Sequence, residues 1–249
     1  MRMVRVLYSL VQKIHEYKYN HQTSLGNIYM FHQVNNDTRV WKDYSCCISL
    51  DGFRYFVDEL LKSGTVFKSV GEFCTDKKEK TFNVDCVIIT FDDAYDDVYY
   101  NCYHILKEKG IPFTVFITYD LLGEKGYLSC GMVAEMLHSG LCTLGAHTIT
   151  HNMLRKQSKA KVEYEFRESK RLLSEKFNTH VDTMAYPYGS YYACSKANIK
   201  MCQKTGYLCS FSTLNCQLTH ENISKKYFIP RRNINEKNYR EMLNYRSID

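Results

Sequence analysis

A chain of 249 residues with 45% hydrophobic and 24% charged side chains can bury one large α/β core or two small ones, and is too apolar to remain disordered. Its formal charge of +6 suits an anionic partner such as an acidic glycan or a phosphorylated headgroup without requiring one, and its 21 tyrosines form no basic-aromatic stripe of the kind that tracks nucleic acid. The 11 cysteines, odd in number and without a Cys-x-x-Cys pair, exclude a disulfide scaffold and read as buried, reduced thiols of a cytoplasmic protein; adjacent Cys46 and Cys47 suit neither a bridge nor a zinc site.

The N-terminus shows no secretory apolar region. Val4, Leu7, Val11 and Ile14 recur at helical spacing beside Arg2, Arg5, Lys13 and Lys18, which predicts an amphipathic helix over residues 1–22. Such a stripe ordinarily packs on its own domain; the alternative is an interfacial helix on the inner face of an anionic membrane. No run approaches the roughly 18 apolar residues that a spanning helix needs. Residues 23–249 read as one domain. Asn27 to Phe31 is a buried strand ending at His32, Asp51 to Lys62 a helix stopped by Ser63-Gly64, Val66 to Val70 a short strand, and Thr75 to Lys80 a charged surface loop.

Val87 to Phe91 is too short for a core helix and rich in β-branched residues, so it reads as a buried strand delivering Asp92 and Asp93 to its C-terminal end. A helix over 98–109, a strand over Pro112 to Thr118, a helix over Met132 to His138 and a strand over Cys142 to Ala146 follow, the last running into His147. Lys159 to Phe177 is a long helix with a solvated, charged face. Val181 to Tyr186, Ala193 to Lys204, Tyr207 to Ser212 and Phe228 to Ile234 continue the alternation of strand and helix, broken only by the polar stretch from Thr213 to Lys226. The expected fold is a single α/β domain, a distorted (β/α) barrel of about seven parallel strands.

Three of these strands end in polar motifs: Asp92-Asp93, His147-Thr148-Ile149-Thr150-His151 and Tyr186-Pro187-Tyr188-Gly189. Parallel strands open all three onto one face. Adjacent carboxylates repel unless a proton or cation lies between them. Histidines at i and i+4 have a metal-ligand spacing when a helical turn carries them, and two imidazoles with one carboxylate make a facial site with open positions.

Thr90-Phe91-Asp92-Asp93, His147-Thr148-x-x-His151 and Tyr186-Pro187-Tyr188-Gly189, in this order and spacing, resemble the first three motifs of the polysaccharide deacetylases, the nodulation-protein-B-like carbohydrate esterases. The likeness extends from Tyr29-Met30-Phe31-His32 to about Ile234. It implies a metal-dependent hydrolase removing N-acetyl or O-acetyl groups from sugars. Carried onto this chain, Asp92 is the general base acting on metal-bound water, and Asp93, His147 and His151 hold one divalent ion, zinc first, with nickel, cobalt, manganese or iron as alternatives. The backbone N–H of Tyr188 stabilises the oxyanion, and Tyr186, Pro187, Tyr188 and His32 line the substrate site.

Two departures stand out. Ala185 occupies the place of the arginine that opens the third motif, a variant resembling the branch acting on exopolysaccharide and capsule-type poly-N-acetylglucosamine. Arg231, in Phe228-Ile229-Pro230-Arg231-Arg232, is the candidate to brace Asp92 instead. The family's late Leu-x-His, which supplies the general acid, has only Leu218-Thr219-His220 to match it. His15, His21, His104, His138 and His180 read as surface residues. The resulting expectation is a cytoplasmic deacetylase of an N-acetylated sugar or polysaccharide intermediate. The alternatives are an O-acetyl esterase or cyclic-amide hydrolase on the same scaffold, or a catalytically weak carbohydrate-binding relative.

Overall fold

In the computed structural model, which describes residues 2–79 and 86–243, the strands are parallel to their neighbours throughout. β1 (Gly26–Phe31), β2 (Val66–Phe67), β3 (Cys86–Phe91), β4 (Phe113–Ile117), β5 (Cys142–Ala146), β6 (Thr183–Ala185), β7 (Cys209–Phe211) and β8 (Arg232–Asn233) are these strands. Their order is β7-β6-β5-β4-β3-β1-β8, with β2 on β3. One edge of β3 is shared, because β2 pairs with Cys86 and Val87 while β4 pairs with Ile89 to Phe91. A bridge between Phe211 and Ile229 brings the two outer members together, so the curled sheet nearly closes into the expected distorted (β/α) barrel.

β1, β3 and β4 are buried at every position, as their unbroken apolar runs require of parallel strands covered on both faces. Ile28, Ile88, Phe116, Ala185, Phe211 and Ile229 fill the barrel interior. Phe116 reaches there only because Gly145 faces it: a Cβ at that position would lie 2.4 Å from the ring. The alternate residues Tyr29, Ile89, Phe91 and Val115 meet the outer helices. Among these, α2 (Leu50–Lys62) is capped by Ser49, which accepts the Gly52 N–H at 3.0 Å.

The charged stretch Thr75 to Glu79 is not a loop. It continues α3 (Val70–Glu79), whose start is a reciprocal cap: Ser69 accepts the Glu72 N–H at 3.1 Å, and the Glu72 carboxylate accepts the Ser69 N–H at 2.7 Å. Lys80 lies outside the described residues. Val70 opens this helix, which shortens the strand expected before it. The helix expected over 98–109 begins as a wide π turn, Val98–Tyr103, before α4 (His104–Glu108). α5 (Cys130–His138), α6 (Lys159–Phe177) and α7 (Lys196–Lys204) follow the alternation, and α8 (His220–Ile223) and α9 (Tyr239–Met242) are single turns.

The N-terminal helix, α1 (Arg2–Asn20), overturns a packing expectation. Val4, Leu7, Val11 and Ile14 do not pack on the domain; they are exposed, and the opposite side docks. Tyr8 packs edge-on against Tyr192 and His15 against Tyr191, so His15 is half-buried and not a free surface residue. No described helix is long and apolar enough to cross a membrane.

Candidate active site

β1 and β3 run side by side to the same end, where the Asp92 N–H donates to the Phe31 carbonyl at 2.9 Å. There the chain turns through two left-handed residues, Asp93 (φ 70°) and Ala94 (φ 67°), which sends the adjacent carboxylates to different partners. Asp92 is buried and gripped by Arg231 in a bidentate pair, Nη1 to Oδ1 and Nη2 to Oδ2, both at 2.7 Å. Arg231 comes from the segment that crosses from the Ile229 bridge to β8. Its Nε donates to the Ser212 carbonyl at 3.1 Å, its Nη1 also donates to Thr90 Oγ1 at 3.2 Å, and its guanidinium lies over the Phe116 ring. Burial pushes the Asp92 carboxyl up, but the charges of Arg231 and His147 hold it below its ordinary value.

Asp93 faces the histidines. Its Oδ1 lies 3.3 Å from His147 Nε2 and 3.0 Å from His151 Nε2, yet this buried oxygen accepts no hydrogen bond. The three ligand atoms lie within 4.8 Å of one another, the one such cluster among the described residues. His147 Nδ1 is 2.8 Å from the Ala185 carbonyl, which only accepts, so Nδ1 carries the hydrogen and Nε2 of the neutral ring is free to ligate. Burial pushes Asp93 up and His147 down. The imidazoles nevertheless hold Asp93 well below the carboxylate range, and Asp92 and Asp93 raise His147. An orphaned buried oxygen, an oriented imidazole and excess negative charge fit a divalent cation.

No helical turn carries the two imidazoles. The chain from His147 to His151 is irregular, with left-handed residues at Thr148 (φ 67°) and His151 (φ 56°). Glu165 of α6, buried, holds this loop by accepting the N–H groups of Ile149 and Thr150 at 2.8 and 3.1 Å and the Thr150 hydroxyl at 2.7 Å. Sequence reasoning missed Glu165. The signal was there: it lies between Val162, Phe166, Ser169 and Leu173 on the buried side of an otherwise charged helix.

Compared with known proteins, the family model described as polysaccharide deacetylase matches residues 79–208. Over 203 residues the chain is 30% identical to a poly-beta-1,6-N-acetyl-D-glucosamine N-deacetylase of Staphylococcus aureus, covering 76% of this chain and 68% of that enzyme. The chain belongs to the polysaccharide deacetylase family. A Bacillus subtilis relative, YxkH, is 32% identical over 136 residues, which span 55% of this chain and 47% of that one, so about half of that relative's length is matched. Among solved structures, a deacetylase of Streptococcus pyogenes in complex with acetate superposes with a TM-score of 0.79 at 21% identity, covering 89% of this chain and 98% of that one. IcaB from Ammonifex degensii gives 0.75 at 21% identity, covering 90% and 97%. These two show the shared fold.

In this member of the family the third motif divides its residues between the cleft and the core. Tyr188 (φ 59°) is exposed, packs its ring on His151 at 5.1 Å between centroids, and has a backbone N–H without a partner among the described residues. Tyr186 lines the cleft as well, but its hydroxyl is turned into the core. It is fully buried, its hydroxyl donates to the Tyr227 carbonyl at 3.0 Å, and that hydroxyl accepts from Ser210 at 2.7 Å. Pro187 is buried as well and shapes the turn. The cleft, about 330 Å³, is lined by His32 together with Asp43, Cys46, Tyr95 and Asn233, which sequence reasoning did not place there. His32 Nδ1 is buried without a partner, and burial lowers its imidazole. Cys46 is no nucleophile, because burial pushes its thiol up to about 11.

His220 lies elsewhere. It is exposed at the start of α8, and Leu218 just before it pairs with Leu25 and Gly26 at the beginning of β1. β1 is six residues long, which puts roughly 16 Å between that end and the carboxylates. The return of the chain beneath the barrel therefore corrects its reading as the acid. A larger cavity, about 690 Å³, lies beside Cys74, Thr143, His180 and Lys226 and contains none of the ligand cluster.

Proposed function

We propose that this chain is a metal-dependent N-deacetylase of an N-acetylated sugar in a glycan. The observation that carries the reading is the division of two adjacent carboxylates: Asp92 on Arg231, and Asp93 with two imidazoles, in one cleft. Asp93, His147 and His151 would hold a divalent cation, with zinc the first candidate, which would supply a water of lowered pKa and polarise an acetyl carbonyl. Asp92 then accepts a proton as general base. Arg231 keeps it ionised and prevents it from swinging onto the cation. The free Tyr188 N–H is a donor for an oxyanion, and the Tyr188 ring walls the cleft over His151.

The test measures acetate released from β-1,6-linked N-acetylglucosamine oligomers and from O-acetylated sugars. Both are assayed as purified, after chelation, and after divalent ions are restored. Release from the N-acetylated oligomers that disappears on chelation and returns with metal is the expected result. Release indifferent to chelation, or confined to the O-acetyl substrates, overturns the reading.

A further inference from the structure

α1 reverses the usual arrangement of a surface helix. Toward the barrel it turns polar and aromatic groups: Gln12 accepts the Tyr191 N–H at 3.3 Å, Glu16 accepts the Asn215 N–H at 2.9 Å, and Tyr8 and His15 pack on the neighbouring tyrosines. Away from the barrel it turns Met3, Leu7, Leu10, Ile14 and Tyr17, which are 84, 61, 55, 56 and 68% exposed. Spaced by four, three, four and three residues, these side chains form one stripe about 20 Å long. Val4, Val6 and Val11, also exposed, widen it. A soluble monomer rarely leaves so continuous an apolar surface uncovered.

Charge decides what covers it. Lys13 borders the stripe in a shallow groove with Val6, Ser9 and Leu10, and Arg5, its guanidinium 6.0 Å from the Tyr192 ring, closes that groove on the barrel side. No acidic residue precedes Glu16, and Glu16 is turned inward. Two copies laid stripe to stripe would set cations against cations with no carboxylate to answer them. A bilayer with anionic headgroups satisfies the apolar stripe and its cationic border together.

We infer that α1 seats this protein on an anionic lipid surface, with its apolar stripe in the acyl boundary and Lys13 among the phosphates. The helix is fastened to Tyr191 and Tyr192, and three residues of chain, at most roughly 11 Å, separate Tyr191 from Tyr188 at the rim of the cleft. The same docking therefore holds that rim close to the membrane plane. This inference stands independently of the deacetylase reading.

The experiment is co-sedimentation of the full chain with vesicles of phosphatidylcholine alone and of phosphatidylcholine mixed with phosphatidylglycerol. The protein is expected to pellet with the anionic vesicles and to be released by high salt. Leu7→Asn with Leu10→Asn lowers that partition by about 100-fold, since two leucine side chains no longer leave water. Lys13→Glu lowers it by about 10-fold or more. Circular dichroism melting of both variants is expected to match the parent, because these side chains touch little of the fold. Equal partition onto neutral vesicles, or no partition at all, overturns the inference. So does a dimer in sedimentation velocity that the leucine changes dissolve, which would assign the stripe to a second copy.

Discussion

Replacing Arg231 with Met removes the guanidinium clamped on Asp92 and leaves the buried carboxylate with two choices. It stays ionised without its partner, or it takes a proton. With an ordinary carboxyl value near 4, protonation at pH 7 costs about 4 kcal/mol. The Ser212 carbonyl and Thr90 hydroxyl also lose a donor, and breaking a buried ion pair is typically worth about 3–5 kcal/mol. Arg231→Met should therefore lose about 4–5 kcal/mol, or roughly 10–15 °C of melting temperature in a chain of this size. Circular dichroism melting and urea titration measure the loss, and the same change in an Asp92→Asn background isolates the pair. The pH–rate profile carries a second readout. Asp92 is held below its ordinary value, so its acid limb in the parent lies below about pH 4, and it should move upward once Arg231 is gone. A melting temperature within about 3 °C of the parent, or an equal loss with and without the Asp92 carboxylate, would refute the clamp.

Asp92→Asn should keep its bound metal and fold while losing turnover by roughly 100-fold or more; loss of metal instead would exchange the two carboxylate roles. His147→Ala and His151→Ala should each purify without stoichiometric metal by mass spectrometry, and metal surviving both changes would place the ion elsewhere. Glu165→Ala should weaken metal affinity by about 10–100-fold without removing a ligand, because it frees the loop that carries His151; an unchanged dissociation constant would show that the loop holds itself. Asp97, buried with its carboxylate accepting the Val34 N–H, is pushed up to about 8. A raised folded value means that its contribution to stability is present at low pH and is lost as pH rises from the unfolded value toward 8. Asp97→Asn should flatten that decline in urea titrations at successive pH values, and an unaltered slope would count against it.

The strands at the centre of the barrel were legible because burial on both faces leaves a nearly uninterrupted apolar run, as in β1, β3 and β4. α6 was legible to the residue, since Ser158 caps it and Asn178 in a left-handed conformation ends it. Other features depend on partners distant in sequence. Nothing in Thr148 or His151 announces a left-handed backbone, so their spacing suggested a helical turn that the chain does not make. The burial of Tyr186 follows from the period of a strand: Ala185 faces the barrel interior, so its neighbour must face the helices. That rule was available and turns the Tyr186 side chain toward the helices, although the residue lines the cleft. The tripeptide ending at His220 matched by letters alone, while its place was fixed by the chain's return beneath β1.

Of the six described residues other than glycine with positive φ, only Asn178 is remote from the cleft; Asp93, Ala94, Thr148, His151 and Tyr188 surround it. Each holds a conformation about 1–2 kcal/mol above a relaxed one. For the fold alone, drift toward glycine at 94 or 188 runs downhill, while the catalytic geometry runs the other way. A library of variants selected only for surviving heat would therefore tend to erode this rim first, and chains recovered from it would be sturdier and idle.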